Sequence, residues 1–223
     1  ALLSEDIKIA VITNSSLLTQ PAVRDALLAA HWVSVKIDAV SKRTWQRINR
    51  PHPSLNLDPI LQSILDFSHD FSGTLVTETM LVRGINDEPE EIRATAECIN
   101  KINPDTAYLS IPTRPPAVSR VRAPREHQLI SAFNIFSDNI NSVEYLIGYE
   151  GNAFASTGDV KQDIARITAV YPMRQDAVQQ VLHDRGADWS VIDQMLDQHV
   201  LAAREYRGEI FYTRVLNPVN KKP

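Results

Sequence analysis

In the first half of the chain, segments with the two-residue periodicity of a β-strand alternate with segments that have the periodicity of a helix. In VSVKIDAV, residues 33–40, apolar Val33, Val35 and Ile37 alternate with polar residues, which predicts a strand. Further strands are predicted at 7–14, 73–82 and 106–112, and helices at 20–30, 44–48, 56–71 and 88–102. The resulting order β-α-β-α-β-α-β predicts an α/β fold with a parallel sheet, open or curled into a barrel.

The polar positions of VSVKIDAV are Ser34, Lys36 and Asp38. Parallel sheets are usually covered on both faces, so such a row needs something polar to face. Because ligands of parallel α/β folds bind at the carboxyl ends of the strands, we expect the row to face a polar ligand inside a curled sheet. The alternative is a pairing of Lys36 with Asp38, or with partners on neighbouring strands, that serves only the structure.

The pattern changes after TRPPAVSRVRAP, residues 113–124. An amphipathic helix is predicted over 124–140, and the turn-rich segment 148–159 reads as an interdomain connection. Three short helices follow at 161–170, 174–185 and 188–198, with a hairpin inside 200–216. Three helices and a β-hairpin are typical of a winged-helix domain. We therefore predict a first domain at 1–118, a helix and connector at 119–150, and a small winged-helix-like α+β domain at 151–223.

The composition excludes several classes of protein. The net charge of -4 over 223 residues gives no global attraction to nucleic acid or to anionic membranes. No apolar run approaches the roughly 20 residues that span a bilayer, so we expect a cytoplasmic protein without a membrane partner. The single cysteine, Cys98, excludes an intrachain disulfide, and the six histidines show no metal-binding spacing, so no metal site is predicted.

Four motifs carry a resemblance to a known family. They are ITNSSLL (12–18), VKIDAVSKRTWQRINRPHPSL (35–55), ETMLVRGINDEPEEI (78–92) and LSIPTRPPA (109–117). They resemble the later strands of radical S-adenosylmethionine (SAM) iron–sulfur enzymes, in the subgroup of Fe–S oxidoreductases related to the wybutosine-synthesis enzyme of tRNA. The resemblance implies a partial (β/α)6 barrel, of which residues 5–118 carry strands three to six. The tail, including AVYPMR (169–174), also resembles the end of some members.

Two motifs of that family are missing from this chain. Members bind a 4Fe–4S cluster through a CxxxCxxC loop and hold the SAM amino group through a Gly-Gly-Glu-like motif, whereas this chain has one cysteine and seven glycines, none in such a run. The resemblance therefore implies a C-terminal fragment of an enzyme that would cleave SAM to generate a 5′-deoxyadenosyl radical. The fragment alone would be inactive, with no catalytic residue and no bound cofactor. The alternative is a complete, non-catalytic binding or regulatory module on a degenerate barrel.

The resemblance also implies roles for individual residues. The implied cofactor-binding residues are Thr13, Asn14, Lys36, Asp38, Glu78 and Ser110, and Arg114 is a candidate for the substrate side. An ammonium at Lys36 suits the methionine carboxylate of SAM, and a carboxylate at Asp38 suits its ribose hydroxyls. Glu78 aligns with a position that is an arginine near SAM in some activating-enzyme relatives, so its charge is reversed here.

The substrate class stays open at this point, because tRNA, a peptide and a small molecule fit the resemblance equally well. The predicted third helix of the tail carries Asp188, Asp193 and Asp197 and no basic residue, which argues against sequence-specific DNA binding. We expect the tail to contact protein or RNA instead. A sheet that starts at residues 7–14 has an exposed edge, so contacts within a dimer could replace the missing strands.

Overall fold

A computed structural model describes residues 7–146, 159–170 and 172–215 of the chain. The chain divides into two compact units. The first consists of 1–112 and 120–148, and the second of 113–119 and 149–223. The domain boundaries expected after residues 118 and 150 stay predictions.

The first unit contains a five-stranded sheet in which all strands run parallel and neighbours in sequence are neighbours in the sheet. Its strands are β1 (Ala10–Thr13), β2 (Trp32–Lys36), β3 (Thr74–Met80), β4 (Thr106–Ser110) and β5 (Val143–Leu146). Its helices are α1 (Pro21–Leu28), α2 (Lys42–Ile48), α3 (Leu57–Asp70), α4 (Pro89–Ile102) and α5 (Glu126–Ser137). The predicted parallel α/β arrangement is therefore confirmed, with β5 as an additional strand that the sequence reading did not include.

Local chemistry sets both ends of α4, which has 14 residues. α4 begins with Pro89, where a missing N–H costs no hydrogen bond, and carries Glu90 and Glu91 in its first turn, where the helix dipole favours negative charge. It ends at Asn103, whose φ of 51° lies in the left-handed region that asparagine tolerates. These signals lie within a few residues of the two ends of α4, so the sequence alone predicts this helix well.

One face of the sheet is buried beneath the helices. Val33 and Val35 from β2 and Leu109 from β4 are completely inaccessible to solvent and join one apolar core with Phe67 and Phe136, which come from α3 and α5. Side chains alternate along a strand, so the neighbouring positions point to the opposite face. The curling of this sheet into a partial (β/α)6 barrel stays a prediction.

The second unit packs three helices against a small antiparallel sheet with strand order β6-β8-β7. Its elements are α6 (Val160–Val170), β6 (Met173–Arg174), α7 (Gln175–Asp184), α8 (Ser190–Asp197), β7 (Leu201–Tyr206) and β8 (Glu209–Arg214). The three helices and the hairpin lie where the sequence predicts them, and the two-residue strand β6 is additional. The assignment of this unit to the winged-helix class stays a prediction. The predicted connection at 148–159 lies, apart from its last residue, outside the described residues.

Among the described residues, no helix has both the length and the apolar character that crossing a bilayer requires.

Candidate functional site

The polar positions of VSVKIDAV lie on the sheet face opposite the helices. In the parallel register Lys36 is opposite Glu78, whereas Val35 is opposite Thr77 on the face that packs against the helices. Glu78 is in turn opposite Tyr108 on β4, two residues before Ser110. Three adjacent strands therefore place Lys36, Glu78 and Ser110 on the same face, near the carboxyl ends of the strands.

Lys36 lies at the centre of a charged cluster. Its Nζ atom lies 3.1 Å from Glu78 Oε1 and 3.3 Å from Asp38 Oδ1. The Ser110 hydroxyl donates a hydrogen bond of 2.9 Å to the same Glu78 Oε1 atom. The cluster contains one cation and two carboxylates, so it attracts cations and hydrogen-bond donors.

The two carboxylates of the cluster differ in what they can still accept. Asp38 is buried, and its Oδ1 atom accepts the Met80 N–H at 2.8 Å while its Oδ2 atom accepts the Asn49 side-chain amide at 2.7 Å. Glu78 receives both of its bonds at Oε1, and its Oε2 atom has no partner among the described residues. Glu78, with its side chain 20% exposed, therefore presents the open carboxylate oxygen of the cluster.

Burial alone would lower the pKa of Lys36, because it removes the ammonium from water. The charges of Asp38 and Glu78 and their hydrogen bonds outweigh that effect, and the pKa of Lys36 lies above its ordinary value. Lys36 therefore stays protonated at neutral pH. An ammonium has three N–H donors, and the two carboxylates engage only part of that capacity.

Asn86 fixes the ends of β2 and β3 around this cluster. Its side-chain amide donates to the carbonyl oxygens of Asp38 and Met80 at 2.8 and 2.9 Å, and its Oδ1 atom accepts the Val82 N–H at 2.7 Å. Asn86 and Asn49 are the two members of the site that the sequence reading missed. Asn49 is the C-cap of α2, and Asn86 lies in the polar segment that follows β3. The position of Asn86 at the end of a strand is the signal that could have found it.

The remaining predicted site residues, Thr13, Asn14 and Arg114, form no hydrogen bond or ion pair with Lys36 among the described residues. Asn14 lines a cavity together with Lys36 and Asp38, and its Oδ1 atom accepts the N–H and the hydroxyl of Ser16. Thr13 is opposite Val35 in the register, on the helix-covered face, and its hydroxyl oxygen accepts the Ser15 N–H at 3.0 Å. Arg114 belongs to the second unit, and its role on the substrate side stays a prediction.

The cavity beside the charged cluster has a volume of about 250 Å³. Its polar lining comes from the ends of β1 and β2 and from residues 49–52, and its apolar lining comes mainly from α2 and α3. The charged cluster and the cavity share Lys36 and Asp38, so a ligand in the cavity would lie next to the cluster.

The residues present do not fit an iron–sulfur cluster. Such a cluster needs several cysteine thiolates, whereas Cys98 is the single cysteine and lies half-buried on α4. Burial raises the pKa of this thiol, although the nearby charge of Lys101 partly opposes the shift, so the thiolate is disfavoured. Within the described ranges, His, Cys, Asp and Glu side chains form no group of three or more that could hold a metal ion.

Fold and site together define a parallel α/β protein with a charged, partly open cluster at the carboxyl ends of its strands. No protein-family model matches the chain. The chain is 36% identical over 218 residues to a UPF0026 protein of Methanocaldococcus jannaschii. The match covers 97% of this chain and 68% of that protein. The chain therefore belongs to the UPF0026 family. It is also 31% identical over 134 residues to the GTPase Obg of Brachyspira hyodysenteriae, a match that covers 60% of this chain and 20% of that protein.

Solved structures show which fold the chain shares. A domain of the pyruvate-formate lyase-activating enzyme from Bacteroides vulgatus matches 63% of this chain and 82% of its own chain, with a TM-score of 0.51 and 17% identity. A radical SAM methyltransferase from Sphaerobacter thermophilus matches 63% of this chain and 41% of its own chain, with a TM-score of 0.47 and 16% identity. The likeness to the activating-enzyme domain agrees with the parallel α/β fold that the radical SAM resemblance implies.

Proposed function

We propose that this chain is the SAM-binding portion of a radical SAM Fe–S oxidoreductase, whose cluster ligands lie in a part of the protein outside these 223 residues. The observation that carries the proposal is the open Oε2 atom of Glu78, held beside Lys36 and Ser110 on the sheet face opposite the helices. The fold shared with an activating-enzyme domain supports it. The kinship with the wybutosine-synthesis enzyme is part of the proposal and rests on the motifs alone.

The charges of the cluster suit the groups that SAM presents, which are an ammonium, a carboxylate, a sulfonium and two ribose hydroxyls. In this proposal Glu78 Oε2 accepts a hydrogen bond from the ammonium or a ribose hydroxyl, and Lys36 directs its remaining N–H capacity at the methionine carboxylate. We assign the acceptor role to Glu78 rather than Asp38, because both oxygens of Asp38 already accept bonds within the protein. Asp38 then acts as a positioning residue for Lys36.

SAM and a 4Fe–4S cluster supply the one-electron chemistry when they are bound, and the protein supplies binding, orientation and exclusion of water. This chain holds one thiol and cannot hold the cluster, so its own contribution is to bind and orient SAM. The Methanocaldococcus relative is longer than the region that this chain matches, which is 68% of it.

The second unit is proposed to contact a protein partner or to present the substrate. Its α8 helix has Asp193 and Asp197 on its exposed positions, and Asp188 lies just before it, also exposed. In a winged helix this would be the helix that enters the major groove, and its carboxylates would be repelled by phosphates. Contact with a protein surface is therefore favoured over sequence-specific DNA binding.

The test uses the protein expressed from its entire reading frame, with the iron–sulfur cluster reconstituted under anaerobic conditions. SAM is titrated by calorimetry, and 5′-deoxyadenosine is measured by mass spectrometry after reduction. We expect the wild type to bind SAM and form the nucleoside, and Glu78→Gln to weaken SAM binding about tenfold or more. Glu97→Gln is the matched control, because Glu97 is exposed on α4 and makes no contact with the cluster.

Two results would count against the proposal. If the reconstituted protein neither binds SAM nor forms 5′-deoxyadenosine, the chain belongs to a non-catalytic binding or regulatory module. If SAM binds but Glu78→Gln and Glu97→Gln have equal effects, the charged cluster is structural and SAM lies elsewhere.

A further inference from the structure

The cavity beside β2 has an apolar floor. Ile37 at the end of the strand, Trp45 from α2, and Leu57, Ile60 and Ile64 from α3 form this floor. All five residues are buried, with Trp45 the most accessible at 9%. The floor therefore suits the hydrocarbon body of a small molecule better than it suits water.

The rim of the cavity is cationic. Its cations are Arg50, which lines both the cavity and a groove that continues from it, and Lys42, which lines the groove only. His52 lines the cavity and the groove beside Arg50. Asp38 is the only acid among the lining residues of the cavity and the groove. Its carboxylate pairs with Lys36 and accepts bonds from Met80 and Asn49, so no acid among these lining residues is left to pair with the cations of the rim.

The rim has N–H donors that the described part of the chain does not use. Arg47 on α2 donates to the Gly84 carbonyl at 2.8 Å, whereas the Arg50 guanidinium forms neither an ion pair nor a hydrogen bond with any described residue. His52 contacts Ser54 through Nδ1 only, which leaves its Nε2 atom for a ligand. A free guanidinium at the mouth of an apolar cavity is the arrangement that binds a carboxylate or a phosphate group.

We propose that this cavity binds a small organic anion whose apolar body contacts Trp45 and Ile60 and whose carboxylate or phosphate group contacts Arg50 and His52. The size of the cavity, about 250 Å³, limits the body to roughly a single aromatic ring system or a short branched chain. The binding itself does not depend on SAM. That the bound anion is the substrate rests on the proposed function, because the cavity shares Lys36 and Asp38 with the charged cluster.

The experiment titrates the protein from its entire reading frame, without SAM, by calorimetry with three anionic probes. They are indole-3-acetate, 3-phenylpropionate and phenyl phosphate, and the neutral comparison is indole-3-acetamide. We expect at least one anion to bind, and indole-3-acetate to bind about tenfold more tightly than its amide. Arg50→Gln should weaken binding of the anion about tenfold and leave binding of the amide unchanged.

Arg43→Gln is the matched control, since Arg43 is an exposed arginine near the start of α2, the helix that precedes Arg50, and lies outside the cavity lining. Glutamine is used at position 50 because Arg50 has a positive φ of 46°, and glutamine keeps the backbone strain comparable. The proposal is overturned if none of the three anions binds, if amide and anion bind equally, or if Arg43→Gln weakens binding as much as Arg50→Gln.

Two measurements on the same protein, anion binding and formation of 5′-deoxyadenosine, distinguish this proposal from the SAM hypothesis. Anion binding without formation of 5′-deoxyadenosine overturns the proposed function and supports the cavity assignment. Formation of 5′-deoxyadenosine without binding of any anionic probe overturns the cavity assignment alone.

Discussion

Thr77 and Thr79 lie two residues apart on β3, both completely or almost completely buried, and only one of their hydroxyls has a partner. Thr79 Oγ1 donates to the Ile37 carbonyl at 2.7 Å, whereas Thr77 Oγ1 makes no hydrogen bond within the part of the chain that the structure describes. The strand therefore carries two equally buried hydroxyls, of which one has a hydrogen-bond partner among the described residues and the other has none.

We expect Thr77→Val to stabilise the protein by about 1 kcal/mol, because valine has the same shape and removes an unpaired buried hydroxyl. Thr79→Val is the matched comparison and should destabilise it by about 1 kcal/mol, since the Ile37 carbonyl loses its side-chain donor. Urea denaturation followed by circular dichroism measures both. Equal effects of the two substitutions would contradict this interpretation of β3.

Asn86→Ala should destabilise the first unit by about 3 kcal/mol. The substitution removes three hydrogen bonds and leaves buried backbone groups at Asp38, Met80 and Val82 without their side-chain partner. Asn56→Ala is the control, because Asn56 is exposed and its side chain forms no cap hydrogen bond, and it should change the free energy of unfolding by less than about 0.5 kcal/mol. A small effect of Asn86→Ala in urea denaturation would mean that water replaces its bonds.

Lys36 should make the stability of the protein depend on pH in the alkaline range. Its pKa is raised above 10.5 in the folded protein, so its ion pairs contribute fully below about pH 10.5 and are lost as the pH rises through the folded pKa. The difference in free energy of unfolding between wild type and Lys36→Met should therefore be constant from about pH 8 to pH 10 and shrink above that range.

Lys101→Met is the control for that series, since Lys101 is exposed on α4 and belongs to no ion pair within the described ranges. Its difference from the wild type should show no comparable decrease above pH 10. A Lys36→Met difference that stays constant to about pH 11.5 would show that Asp38 and Glu78 do not raise the pKa of Lys36.

Arg185→Met should destabilise the second unit by about 3 kcal/mol. Arg185 lies 2.5 Å from Asp163, whose side chain is 2% exposed, and the substitution removes a cation from a buried carboxylate. Arg166→Met, an exposed change on the same helix as Asp163, should have almost no effect. Thermal denaturation of both variants measures the difference, and similar midpoints would indicate that the Arg185–Asp163 pair adds little.

The sequence predicted the first four strands because their apolar and polar residues alternate within a few positions. It missed β5, Val143–Leu146, where Glu144, Tyr145 and Leu146 are all exposed, so burial imposes no alternation on the sequence. Its pairing with β4 is a contact between distant parts of the chain, which no local pattern reports. The two-residue strand β6 was missed because a segment that short has no periodicity.

The polar residues of VSVKIDAV, by contrast, placed Lys36 and Asp38 at a ligand-binding edge, and the family resemblance added Glu78 and Ser110. Parallel strands bring their carboxyl ends to the same edge, so topology alone places these four residues together. Their roles in the cluster differ, however, because the hydrogen bonds that each side chain makes depend on residues that are distant in the sequence.

By itself, then, the sequence determined the order of strands and helices and the polar face on β2, since both follow from local periodicity. Only the tertiary structure decided which carboxylate stays open. Both oxygens of Asp38 accept hydrogen bonds, one from Met80, 42 residues away, and one from Asn49, 11 residues away. Glu78 keeps its Oε2 atom without a partner among the described residues. Local sequence patterns could not predict the cavity beside β2 either. Its floor and its rim come from separate elements, which form a cavity only when α2 and α3 pack beside β2.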